Sequence, residues 1–102
     1  INLFYPPEIA RFESNDAITN GVKYITEWLM NTGYENILID VANECQQIKQ
    51  GPLNPNNGTH GIVETIAMIQ NMSNGRFKVG SSISGSDVQH YPEAMIQQVD
   101  II

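Results

Sequence analysis

The run Ile37-Leu38-Ile39-Asp40-Val41-Ala42-Asn43-Glu44 constrains the fold of this chain more than any other stretch. It is apolar and rich in β-branched residues, and it closes on an amide followed by a carboxylate. A strand apolar on both faces belongs in a parallel sheet covered by helices, and such sheets place ligands at the carboxyl ends of their strands. Asn43 and Glu44 stand at that end. Polar side chains closing a buried strand cost free energy unless they are partnered, and chemistry at a strand tip is one reason to retain them.

The segments on either side fit the same architecture. Ile1 to Tyr5 reads as a strand that Pro6-Pro7 interrupts, because proline cannot donate to a sheet ladder. Glu8 to Glu13 has no clear period. Ser14-Asn15-Asp16 then offers helix caps, and Ile18, Val22, Ile25 and Leu29 form a core-facing stripe that stops at Gly33. Trp28 lies beside that stripe and is expected in helix–sheet packing. After the strand Ile37 to Ala42, residues Asn43 to Gly61 form a long polar connection rich in Asn, Gly and Pro, of the length that usually carries function or disorder. Ile62 to Met72 is a second predicted helix, closed by Asn74-Gly75. Phe77 to Ser82 is a third strand, Pro92 opens a short helix to about Gln98, and Val99 to Ile102 begins a fourth strand.

The order βαβαβαβ specifies an α/β fold with parallel strands and right-handed crossovers, either an open doubly wound sheet or part of a (β/α)8 barrel. Alternation along the central strand puts Leu38, Asp40, Ala42 and Glu44 on one face and Ile37, Ile39 and Val41 on the other. The uniformly β-branched face suits helices. The other suits a barrel interior, where Asp40 needs a hydrogen-bonding or charged partner. The chain opens at Ile1 and closes at Ile102 inside predicted strands, so residues 1–102 are expected to be an internal segment of a larger protein.

Composition narrows the function classes. With 102 residues, 41% apolar and 16% charged, the chain fits one globular unit. A net charge of -6 with five Lys plus Arg leaves no basic stripe for phosphates, so nucleic acid is not an expected partner. No apolar run approaches the ~20 residues that span a bilayer. Cys45 is the single cysteine, which excludes an intrachain disulfide and a Cys-rich zinc site. Asn57-Gly58-Thr59 and Asn71-Met72-Ser73 match the glycosylation pattern, which has meaning only in a eukaryotic secretory context.

With Ala42-Asn43-Glu44 closing an Ile/Val-rich strand, behind the Trp28-containing helix and the Asn31-Thr32-Gly33-Tyr34 turn, the chain resembles the cellulase-like superfamily of retaining (β/α)8-barrel glycoside hydrolases. The resemblance covers most of the 102 residues and implies strands three to six of such a barrel. It implies Glu44 as general acid/base and Asn43 as the neighbour that holds a sugar hydroxyl. The nucleophile would lie on a strand beyond Ile102, so this segment alone would be inactive. Retaining hydrolysis pairs two carboxyl groups ~5 Å apart, one donating a proton to the leaving oxygen while the other attacks the sugar. Cys45 stands where many members have Pro, so subfamily and substrate do not carry over. The implied partners are a carbohydrate substrate and the rest of the same barrel, with no cofactor and no metal. The sequence leaves the compartment unknown, and only the resemblance favours a secreted or cell-envelope location.

Four further residues are candidate substrate contacts. His60 and His90 fall in strand-to-helix loops on the face where a barrel binds substrate, though loop histidines also serve as solvated or capping groups. Tyr5 offers a ring and a hydroxyl at the end of the first strand, or packs under the proline loop. Ser82 tops the third strand. The alternative for Glu44 itself is a solvated loop carboxylate or the cap of a local turn. A rival function is a small α/β binding or regulatory domain that uses Gly80 to Gly85 for an anion, although this loop lacks the spacing and Lys of a P-loop. A third possibility is a barrel that kept the fold and lost activity. Asp87 and Glu93 are expected at helix starts, facing the dipole.

Overall fold

A computed structural model describes residues 1–6, 12–55, 61–83 and 92–100. Three parallel strands, β1 (Asn2–Phe4), β2 (Leu38–Ala42) and β3 (Lys78–Gly80), form one sheet in that order, with β2 in the middle. Three helices alternate with them: α1 (Asn15–Asn31), α2 (Ile62–Met72) and α3 (Glu93–Gln98). The described residues are thus a small α/β domain with a parallel sheet.

Each element starts and stops for local reasons. The Ser14 hydroxyl caps α1 by accepting the Ala17 amide at 3.1 Å, satisfying one of the four amides a helix start leaves unpaired. Gly33 ends it with φ +80°, a conformation L side chains resist. Ile18, Val22 and Leu29 are buried and Ile25 half-buried, as the stripe predicts. Thr26 is also buried, and its hydroxyl is spent on the Val22 carbonyl at 2.7 Å. Trp28 departs from expectation: it points outward and is 55% exposed. It lies one residue off the stripe, and the inward positions are filled by Leu29 and Thr26.

In α2, Ile62, Ile66 and Ile69 are fully buried. Each such side chain contributes roughly 1.5–3 kcal/mol relative to exposure. They share one core with Ile39, Val41 and Val79 of the sheet and with Phe77 just before β3. Asn74 and Gly75 both take positive φ after the helix, as its stop signal requires.

The alternation along β2 is as read from the sequence. Ile37, Ile39 and Val41 are buried, whereas Leu38 is 55% exposed and Asp40 half-buried. Register places Asn2 and Gly80 beside Asp40, and Lys78 beside Leu38. The face opposite the helices is therefore exposed at its amino end, where Leu38 and Lys78 stand, and closes toward its carboxyl end at Phe4 and Ala42.

All three strands are shorter than predicted. Ile1, Tyr5, Ile37, Phe77, Ser81 and Ser82 lie outside the strands, although the Ile37 carbonyl still accepts the Lys78 amide at 3.0 Å. The fourth strand is not formed at Val99 and Asp100. Val99 closes α3, its amide reaching Met95, and Asp100 makes a single backbone bond to Val79 at 2.8 Å. Ile101 and Ile102 lie outside the described residues.

Candidate functional site

The chain leaves β2 through a sharp reversal. Asn43 donates its amide to the Phe4 carbonyl at 2.9 Å, and Glu44 takes φ 47° and ψ 53° before a short 3-10 turn, Cys45–Gln47. Among the described residues, Glu44 is the one side chain other than Asn or Gly held in the left-handed region. An L residue there costs about 1–2 kcal/mol, because Cβ crowds the following carbonyl.

Ser82 holds that conformation in place. Its hydroxyl oxygen accepts the Glu44 amide at 3.1 Å, and its carbonyl accepts the Cys45 amide at 3.0 Å. The same hydroxyl donates to Asp40 Oδ2 at 2.8 Å, and the Ser82 amide donates to Asp40 Oδ1 at 2.9 Å. Asn2 Nδ2 adds a third donor to Asp40 at 3.2 Å. This answers the sequence-level requirement that an inward Asp40 be partnered: the half-buried carboxylate receives three hydrogen bonds on two oxygens. The Asn2 side-chain oxygen is buried and has no hydrogen-bond partner among the described residues.

Asn43 Oδ1 lies 3.4 Å from the Ser82 hydroxyl, a longer approach than the one to Asp40. Glu44 is half-buried, and its Oε2 accepts a hydrogen bond from Gln47 Nε2 at 2.6 Å. Among the described residues no hydrogen bond engages Glu44 Oε1 or Asn43 Nδ2.

Asn43, Glu44 and Ser82 therefore come together at the carboxyl end of the sheet. Tyr5 follows β1 at the same end and is 49% exposed; among the described residues no hydrogen bond joins it to Glu44. His60 and His90 lie outside the described residues, as does Asp87. Glu93 sits in the first turn of α3, as a helix-start carboxylate. Sequence reasoning did not select Gln47. Its signal is the three-residue spacing from Glu44, which superposes side chains in a 3-10 turn.

Cys45, directly after Glu44, is fully buried and unbonded to another cysteine. Burial pushes its thiol pKa up, a hydrogen bond with Ser81 opposes that, and the nearby Asp40 charge raises it further. A protonated, inaccessible thiol is no nucleophile.

The part of the Gly80–Gly85 loop that is described does not offer an anion cradle. Ser82 gives both its donors to Asp40, and the Ser81 hydroxyl bonds the Ala42 amide and carbonyl at 3.1 and 2.7 Å. A phosphate there would meet a carboxylate. No group of three or more His, Cys, Asp or Glu suited to a metal occurs among the described residues. No described helix is long and apolar enough to cross a membrane. A cleft of about 500 Å³ opens between the first turns of α1 and α2, beside Asp16 and Glu64, and neither Asn43, Glu44 nor Ser82 lines it.

Compared with known proteins, the chain matches no family model, and neither a curated protein nor a solved structure matches it significantly.

Proposed function

We propose that these residues form part of a (β/α)8 barrel that hydrolyses glycosidic bonds with retention, with Glu44 as general acid/base and Asn43 as the neighbour that orients the sugar. The observation that carries this reading is Glu44 itself. A non-glycine residue is held at a strand tip in a left-handed conformation by a hydrogen bond from its amide to Ser82. Strain of this kind persists where the surroundings impose it, and it clusters at functional sites.

The sheet supports the barrel. Parallel sheets are covered on both faces, and the face opposite the helices carries Asp40 and Asn2 in a polar network with exposed Leu38 and Lys78 at its amino end. Further strands closing a barrel would cover that face. In this arrangement Glu44 protonates the departing oxygen and afterwards takes a proton from the attacking water, while a carboxylate from a later strand forms and releases the glycosyl bond. Gln47 steadies the Glu44 carboxyl through Oε2. Asn43 donates from Nδ2 toward the sugar as charge develops on the ring.

The test is Glu44→Gln in the protein containing the whole barrel, assayed on alkyl glycosides, whose leaving oxygen needs a proton. Turnover should be lost while the thermal transition stays in place. Turnover equal to that of the wild type would remove Glu44 from the mechanism.

A further inference from the structure

We propose that Asp40 is a positioning residue for this site, acting through Ser82 on the backbone of Glu44. The Ser82 hydroxyl has one proton and two neighbouring acceptors, Asp40 Oδ2 at 2.8 Å and Asn43 Oδ1 at 3.4 Å. The charged and closer acceptor takes it. With its proton directed to Asp40, the Ser82 oxygen turns a lone pair to the Glu44 amide, 3.1 Å away. Asp40 thereby fixes which way the hydroxyl points, and the hydroxyl fixes Glu44 in the left-handed conformation that presents its carboxyl at the rim.

The donor count selects a carboxylate over an amide at position 40. Asn2 Nδ2, the Ser82 amide and the Ser82 hydroxyl all donate to it. An amide offers one acceptor oxygen and a donor, so in either orientation Asp40→Asn sets a donor against a donor. If the amide nitrogen faces Ser82 Oγ, it donates to that oxygen, and the hydroxyl proton loses its carboxylate and is left with Asn43 Oδ1 at 3.4 Å. If it faces the Ser82 amide, that amide loses its partner. Asp40 lies within β2, four residues before Glu44, and the Ser82 hydroxyl that donates to it is the one that accepts the Glu44 amide, so its effect passes through Ser82.

The backbone part of this proposal is independent of the glycosidase reading, and the kinetic part rests on it; two readouts keep them apart. The first is amide hydrogen exchange by NMR on the full chain. Asp40→Asn should accelerate exchange at Glu44 and Cys45 by about tenfold or more, the scale of losing a hydrogen bond to a charged group, with Ile66 and Ile69 in α2 unchanged. Ser82→Ala should do the same, and Ser82→Thr, which keeps the hydroxyl, should restore protection. If Asp40→Asn does not fold, the Ser82 pair decides. Unchanged exchange at Glu44, or equal acceleration throughout the chain, would overturn the proposal. The second readout is turnover of aryl glycosides by the protein containing the whole barrel. Asp40→Asn should lower kcat by about tenfold with KM held within about twofold, and the loss should vanish in a Ser82→Ala background. Additive losses would contradict action through Ser82. Altered Glu44 exchange in a protein that cleaves no glycoside would leave the positioning role standing and remove the glycosidase reading.

Discussion

The Ser82 hydroxyl accepts the Glu44 amide at 3.1 Å across a sequence separation of 38 residues. This bond ties the end of β2 to the end of β3 and imposes an unfavourable backbone conformation on the residue proposed to carry the chemistry. Stability and function are therefore expected to conflict at position 44.

Glu44→Gly should expose that conflict. Glycine enters the left-handed region without the Cβ penalty, worth about 1–2 kcal/mol, but gives back roughly 0.4–1 kcal/mol through its freer unfolded chain. A net gain between about 0 and 1.6 kcal/mol in urea unfolding is expected, alongside loss of turnover. A destabilised variant would show that Glu44 is not strained.

The two faces of the sheet should respond unequally to truncation. Phe77→Ala empties a fully buried position beside Ile39 and Val79 in the same core and should cost about 3–5 kcal/mol. Leu38→Ala, on the opposite and exposed face, should cost no more than about 0.5 kcal/mol in this chain. Equal costs in chemical denaturation would contradict the assigned alternation.

Much of the scaffold was readable from local pattern. Ile18, Val22 and Leu29 announce α1 by spacing, Ile62, Ile66 and Ile69 announce α2, and the parity of β2 follows from its two-residue period. The site's organisation was not. Asp40 and Ser82 are 42 residues apart, and nothing local in either segment states that they meet. The left-handed backbone at Glu44 was equally hidden, since glutamate carries no preference for it. Trp28 points outward because it lies one position beside the stripe, and helical spacing fixes a face only to within about a residue.

Cys45 should make stability fall at alkaline pH. Its pKa is raised on folding, chiefly by burial, so the native state keeps a proton that the unfolded chain releases. Stability is then undiminished below the unfolded thiol pKa of roughly 8.5. It declines as pH rises above that value, by at most about 1.4 kcal/mol per pH unit, until the folded thiol ionises. Urea unfolding from pH 7 to 10 should show the decline in the wild type and a smaller one in Cys45→Ala. Matching profiles, or rapid alkylation of the native thiol, would refute its burial.

The most direct test of Glu44 as proton donor compares leaving groups in the protein containing the whole barrel. Dinitrophenyl glycosides depart with little need of a proton, whereas alkyl glycosides require one. In Glu44→Ala, kcat/KM for alkyl glycosides should fall by about 10²–10⁴, the usual contribution of general acid catalysis, while kcat/KM for dinitrophenyl glycosides stays near the wild-type value. An equal loss for both substrates, or no loss for either, would contradict the assignment.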